Sequence, residues 1–311
     1  GDAGSARTPD RSGPPCAAPR NASVSRSLSA RPRSTELAAE AAALVQRASA
    51  RSGRTPVLAA VAATEDVAAL IYMEQLLKQA EAAGLAVKKI SLSATAGEDE
   101  IKATLERLSA DRDVAGIILQ SPLPDGVSRT RVVTAIAPEK DIDGITESNA
   151  ARLSAGDLDG TLLPATAAAV MELLRAHQIE PRGQRAVVVG RSAVVGRPVA
   201  QLLALAGAAV EVVHSKTPDM GAITRTAQIL VVAAGVRGLV RGEQVAQGCV
   251  VVDVGIHADG DQIVGDVDAE SVSAAIGESG ALSPVPGGVG PMTNAILVLQ
   301  AAQAALRAAE A

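Results

Sequence analysis

"RAVVVGRSAVVGRPVAQLLALAG", residues 185 to 207, decides the fold. Its first part, "RAVVVG" (185–190), is a short β-branched run that predicts a strand. Its last part, "RPVAQLLALAG", predicts a helix, with Pro198 at the start, where a missing N–H does no harm. Between them Gly190 and Gly196 bracket a turn with the spacing G-x5-G rather than the usual GxGxxG. Glycine lets the backbone approach a pyrophosphate, and the helix N-terminus behind it favours an anion. The same residues would also make a tight strand-to-helix turn in any α/β protein, so the next strand has to discriminate.

That strand, "AVEVVHS" (209–215), ends at His214-Ser215-Lys216 with no acid at its tip; Glu211 comes earlier. An NAD site would place Asp or Glu there to accept a hydrogen bond from the ribose 2′-hydroxyl. Arg191, Ser215 and Lys216 suit an additional phosphate instead, which favours NADP over NAD.

Outward from this unit the chain alternates strand and helix. On the C-terminal side, "QILVVAAG" and "CVVVDVGI" read as strands, and "GPMTNAILVLQAAQAALRAAEA" as one long closing helix. On the N-terminal side, "STELAAEAAALVQRASAR" predicts a helix capped by Ser or Thr. It is followed by strand "VLAAVA", helix "VAALIYMEQLLKQAEAAG" stopped by Gly84, strand "VKKISL", helix "EDEIKATLERLSAD", strand "VAGIILQ" and helix "VSRTRVVTAIA". This is the pattern of parallel sheets covered by helices. The expected fold is α/β: two lobes around a cleft, the second a Rossmann-like NADP-binding domain. Clefts between lobes are where small ligands bind.

Residues 1–34 carry six arginines and two aspartates among Ser, Pro and Gly and have almost no bulky apolar residue. The expectation is a disordered extension, a composition that an organellar transit peptide would share. Otherwise the chain reads as cytoplasmic. The 311 residues exceed one ordinary core. No apolar run is expected to approach membrane-helix length. A net charge of −5 and the near absence of aromatics argue against a nucleic-acid partner. Cys16 and Cys249 lie far apart, and the three histidines are scattered, which argues against a metal site.

One residue stands out: Tyr72 is the only aromatic ring, in a chain without Phe or Trp. Leu, Ile and Val fill a core without rings, so a lone tyrosine invites a binding role. "VVVGRSAVVGRP", "VVDVGI" followed by "IVGDVD", "SPVPGGVGPMT", "QSPLPDG" and "APEKDIDGITESNAARL" then occur in an order that resembles the methylenetetrahydrofolate dehydrogenase/cyclohydrolase family. The likeness spans about residues 35 to 305.

The resemblance implies a folate-binding catalytic domain over 35–163 plus 291–311 and an NADP domain over 164–290. It also implies a homodimer, and a tetrahydrofolate derivative bound against NADP. In that family a hydride passes from 5,10-methylene-tetrahydrofolate to NADP+, and water then opens the methenyl product to 10-formyl-tetrahydrofolate. Tyr72 is similar to the tyrosine that stacks on the folate ring, Gln120 to the glutamine beside the reacting carbons, and Asp143 to the aspartate that holds the pterin's amino edge. Gly190, Arg191, Ser192, Gly196, Ser215 and Ile256 fall at the NADP side.

The departures concentrate on the folate side. The family's catalytic lysine follows its tyrosine by four residues; here that position is Leu76, and the nearest lysine is Lys78, which helical spacing turns away from Tyr72. Ala69, Ala151, "PATAAA" and Gln228 are further departures. Hydride loss moves no proton, whereas hydrolysis needs acid–base help. The expectation is a dehydrogenase whose cyclohydrolase activity is weak or lost; the alternative is a paralogue that binds NADP or folate without turnover.

Overall fold

The computed structural model describes residues 25–260 and 262–311. Strands β1 (Arg26–Ser27), β2 (Val57–Ala62), β3 (Ala86–Ser91) and β4 (Val114–Leu119) belong to the first half, with helices α1 (Arg33–Ser52), α2 (Val67–Ala82), α3 (Glu98–Ala110), α4 (Arg129–Val132) and α5 (Glu147–Ser154). The second half adds α6 (Ala165–Ala176), β5 (Arg185–Val189), α7 (Gly196–Leu205), β6 (Ala209–Val213), α8 (Met220–Thr224), β7 (Ile229–Val232), β8 (Val250–Asp253), β9 (His257–Asp259), β10 (Gln262–Val264), α9 (Ala269–Ile276), β11 (Ala281–Leu282) and α10 (Val289–Glu310).

Two sheets form the lobes. The first has the order β3-β2-β4, and the second β1-β11-β8-β7-β5-β6; both are parallel throughout. A β9–β10 hairpin stands apart. Parallel strands need crossover helices, which cover the faces and leave the strands as apolar runs such as VVV and VAGIIL. The long α10 returns from the second lobe to pack on α1, β4, α2 and α6. Only this helix is long and apolar enough to span a bilayer among the described residues, contrary to the expectation from the sequence, and most of it is buried inside the protein.

Three local expectations are corrected. Disorder over 1–34 does not reach its last ten residues, for β1 pairs with β11, and α1 already begins at Arg33. Residues 1–24 lie outside the described residues. The N-cap of α1 is Pro32, with no side-chain cap, in place of Ser or Thr. The helix is held instead by Arg33, which pairs with Glu36, Glu40 and Glu172. The single helix expected over "VSRTRVVTAIA" is also absent: α4 covers only Arg129–Val132, and the chain then tightens to a 3-10 turn over Val133–Ala135.

The N-terminal strand has a structural task. Leu28 is fully buried, its N–H donates to the Leu282 carbonyl at 2.9 Å, and Ala30 N–H donates to the Gly287 carbonyl at 2.9 Å. Residues 26–30 thus brace the glycine-rich loop that leads into α10. Leu28→Ala should cost about 2–4 kcal/mol, seen as a lowered thermal midpoint by circular dichroism. An unchanged midpoint would show that the strap carries no load.

Candidate functional site

Helix α2 presents one face to the cleft. Asp66 caps it, accepting from the Ala69 N–H at 2.7 Å. Ala68, Tyr72, Gln75 and Gln79, spaced three and four apart, share a stripe. With Ile71 at its edge, this stripe lines a cavity of about 370 Å³. The opposite wall is the end of β8 with Ile256, and the loop Pro284–Gly290 running into α10. Leu76 does not line this cavity: it is fully buried, packed in the core shared by Met73, Leu77 and Ala80. Lys78 is exposed on the outer face, as the helical spacing predicts. No Lys, Arg or His lines the cavity among the described residues.

The remaining folate-side candidates stand at the C-terminal end of β4 and the loop beyond. Gln120 is buried, its backbone N–H held by the Val61 carbonyl at 2.8 Å. Asp143 pairs with Arg129, Nη2 to Oδ2 at 3.1 Å. Burial pushes the Tyr72 phenol well above its ordinary range, and the charge of Asp143 adds to that, so the phenol stays neutral and the two groups are neighbours. Burial also raises the Asp143 carboxyl, while Arg129 pulls it down. Gln120 and Asp143 are outside the residues that line the 370 Å³ cavity; Tyr72 is the link between the two places.

The loop carrying Asp143 is fixed from both sides. Asp141 is buried and accepts from Thr146 N–H at 2.7 Å and Asn149 Nδ2 at 3.0 Å, a capping role. Gln300 of α10 donates to the carbonyls of Ile142 (2.7 Å) and Leu163 (3.0 Å) and accepts from Leu163 N–H (2.8 Å). One side chain so ties α10 to both ends of the 142–163 segment.

On the second lobe, the turn after β5 is closed at atomic distance. A Cβ on Gly190 would sit 2.1 Å from the Ala233 carbonyl oxygen, and one on Gly196 would sit 2.3 Å from the Gly190 oxygen. Ser192 Oγ accepts from the Val195 and Gly196 N–H groups at 3.2 Å, holding the start of α7. Arg191 and Ser192 are exposed beside it, and Ser215 and Lys216 are exposed at the end of β6. This cradle fits a dinucleotide phosphate: no side chain blocks the turn, α7 begins there, and two cations stand at its edge.

Asp253, at the end of β8, is structural. It accepts from the N–H groups of Gly255, Asp266 and Val267, each at 3.0 Å. Burial pushes its carboxyl up to about 6 against those three donors. Asp266 in turn accepts from Ala234 (2.7 Å) and Gly235 (2.8 Å) and pairs with His257 at 2.7 Å.

Three residues of the site escape the sequence reading. Gln75 could have been found from its spacing to Tyr72. Asn294 is a polar break in an apolar helix; it is buried, lines the cavity, and its carboxamide oxygen has no partner. Arg129 gave no sequence signal at all.

The family model described as tetrahydrofolate dehydrogenase/cyclohydrolase, catalytic domain, matches residues 28–143. The model for the NAD(P)-binding domain of the same family matches residues 164–309. The bifunctional protein FolD of Nocardia farcinica is 49% identical over 251 residues, covering 80% of this chain and 87% of the relative. The Trypanosoma brucei methylenetetrahydrofolate dehydrogenase-cyclohydrolase, solved with NADP cofactor and inhibitor, superposes with a TM-score of 0.86 at 33% identity, over 93% of this chain and 99% of that one. The bifunctional FolD enzyme of Campylobacter jejuni gives 0.84 at 37% identity, over 89% and 97%.

Proposed function

The chain belongs to the tetrahydrofolate dehydrogenase/cyclohydrolase family, and on that premise we propose how its own residues divide the two reactions. It oxidises 5,10-methylene-tetrahydrofolate with NADP+. The methenyl hydrolysis that accompanies this step in the family is slow in this chain.

The observation that carries the second statement is that, among the described residues, no Lys, Arg or His lines the cavity, with Leu76 turned into the core. Bound NADP+ would supply the hydride acceptor. The protein's part in oxidation is placement. Gly190, Ser192 and Gly196 seat the phosphates on the α7 terminus; Arg191, Ser215 and Lys216 favour the extra phosphate; Ile256 offers an apolar wall. Tyr72 stacks on the pterin, Gln120 orients the one-carbon bridge, and Asp143 accepts from the amino edge. The methylene carbon that loses hydride becomes a cation shared by two flanking nitrogens, so no proton must move and positioning is most of what is required.

Hydrolysis differs, because water must lose a proton and a ring nitrogen must gain one. The neutral phenol of Tyr72 and the amides of Gln75 and Gln79 do neither well, and the Asp253 carboxylate on the same cavity is taken up by three backbone N–H donors. We also assign the protein to the cytoplasm and to a homodimer. Exposed Leu158 and Leu205, which line one surface hollow, support a partner surface.

The test is NADPH formation at about 340 nm, the nicotinamide band, with 5,10-methylene-tetrahydrofolate as substrate. Tyr72→Ala is expected to raise KM for the folate about tenfold, from lost stacking plus lost area, and to leave KM for NADP+ alone. No NADPH from the wild-type chain would favour a binding protein without turnover.

A further inference from the structure

Asp143 already has a partner in the cleft. Arg129, the first residue of α4, reaches it with Nη2 at 3.1 Å from Oδ2, and with Nη1 it donates to Ser121 Oγ at 2.6 Å. Ser121 follows Gln120, so one guanidinium clamps the end of β4 to the loop that carries Asp143. Both ionic side chains are about three-quarters buried, at 25% and 23% exposure. Arg129 also lines a second cavity of about 320 Å³ together with Ala193 and Val194 of the nucleotide turn, which puts it where the two lobes face each other.

We propose that Arg129 is a positioning residue for the substrate, its guanidinium fixing the Asp143 carboxylate through Oδ2 and leaving Oδ1 to accept from the pterin's amino edge. The proposal rests on the folate reading of the cleft. Three groups face Asp143: Tyr72 from α2, Asp141 from its own loop and Arg129 from α4. Burial and Asp141 both favour the protonated carboxyl, which would present a donor where the amino group needs an acceptor. Arg129 alone among the three opposes them. Among the described residues Oδ1 has no hydrogen-bond partner, so the bridge does not compete with the ligand for it. A guanidinium stays charged throughout the working pH range. It therefore brings a fixed cation to a site without a lysine on its cavity, and it cannot act as the proton donor that hydrolysis needs.

The experiment is a steady-state comparison of wild type, Arg129→Leu, Arg129→Gln, Arg129→Lys and Asp143→Asn across pH. Arg129→Leu and Arg129→Gln should raise KM for 5,10-methylene-tetrahydrofolate about tenfold, the loss of one charge-assisted contact, with KM for NADP+ unchanged. The sign in pH follows from the cation: removing a group that lowers the Asp143 carboxyl moves it upward. The acidic limb of kcat/KM should then shift to higher pH. Arg129→Lys should restore most of the limb but less of the KM, because an ammonium keeps the charge and loses the fork. Asp143→Asn should abolish the limb. A fall in thermal midpoint with KM and limb unmoved would make the pair purely structural and overturn the proposal, as would a limb that persists in Asp143→Asn. Calorimetry of the wild type with 5-formyl-tetrahydrofolate separates the layers: no binding there removes the folate reading itself, whereas binding with an indifferent Arg129 removes only this inference.

Discussion

Leu76→Lys is expected to raise hydrolysis of 5,10-methenyl-tetrahydrofolate about 10²- to 10⁴-fold over the wild type, the usual contribution of a general acid–base group. The side chain at position 76 starts in the core, with Met73 and Leu77 as neighbours. A lysine there must run its methylenes along that wall and carry its amine out beside Tyr72 and Gln75. Partial burial lowers an ammonium's pKa towards neutrality, which helps it both give and take a proton. The same burial should cost the fold about 2–4 kcal/mol, visible as a lower thermal midpoint. Methenyl absorbance decay reports the hydrolysis, and NADPH formation reports the oxidation in parallel. A folded variant that oxidises but gains no hydrolysis would show that Ala69, Ala151 or the altered "PATAAA" segment also matters. Fast hydrolysis by the chain with Leu76 in place would refute the division of labour itself.

Gly190→Ala is expected to weaken NADP+ binding about 100-fold, the scale of a misplacement of roughly an ångström at a binding site, and to cost about 3 kcal/mol or more of stability. The φ of Gly190 is +120°, a region L side chains rarely adopt, and its Cβ would meet the Ala233 carbonyl at 2.1 Å. Neither neighbour can yield, because Gly190 N–H is held by Val213 and Ala233 N–H by Val189, each at 2.8 Å. Gly183→Ala is the control. Its φ is also positive, but at +74° it lies near the left-handed region that L residues tolerate, and nothing is within 4 Å of the added carbon, so it should lose about 1 kcal/mol and bind NADP+ normally. Cofactor affinity by calorimetry and thermal unfolding measure both. Equal effects from the two substitutions would mean that backbone strain, and not the cradle, sets the loss.

Much of the molecule was legible as text. Short β-branched runs become the parallel strands β2, β4, β5, β7 and β8, because a strand covered on both faces needs no polar alternation. The turn from β5 to α7 was readable because only glycine satisfies its geometry. β1, β11 and the β9–β10 hairpin were not readable: two or three residues carry no periodicity, and β1 exists only because Ala281 and Leu282, some 250 residues on, offer it partners.

Local pattern alone is enough for the order of the main strands and helices, the nucleotide turn, the lone ring at Tyr72 and the leucine where a lysine would serve. Those are local facts, settled by side-chain chemistry and by the angular period of a helix. Which way each face points depends on packing between distant elements. Helical spacing puts Leu76 some 40° round from Tyr72 but does not say where the cavity lies. The packing of α10 and the second lobe draws that line between them, leaving Tyr72 on the cleft and Leu76 in the core. The same packing brings Arg129 to Asp143, and Gln300 to Ile142 and Leu163, across stretches of chain whose separation no local pattern encodes.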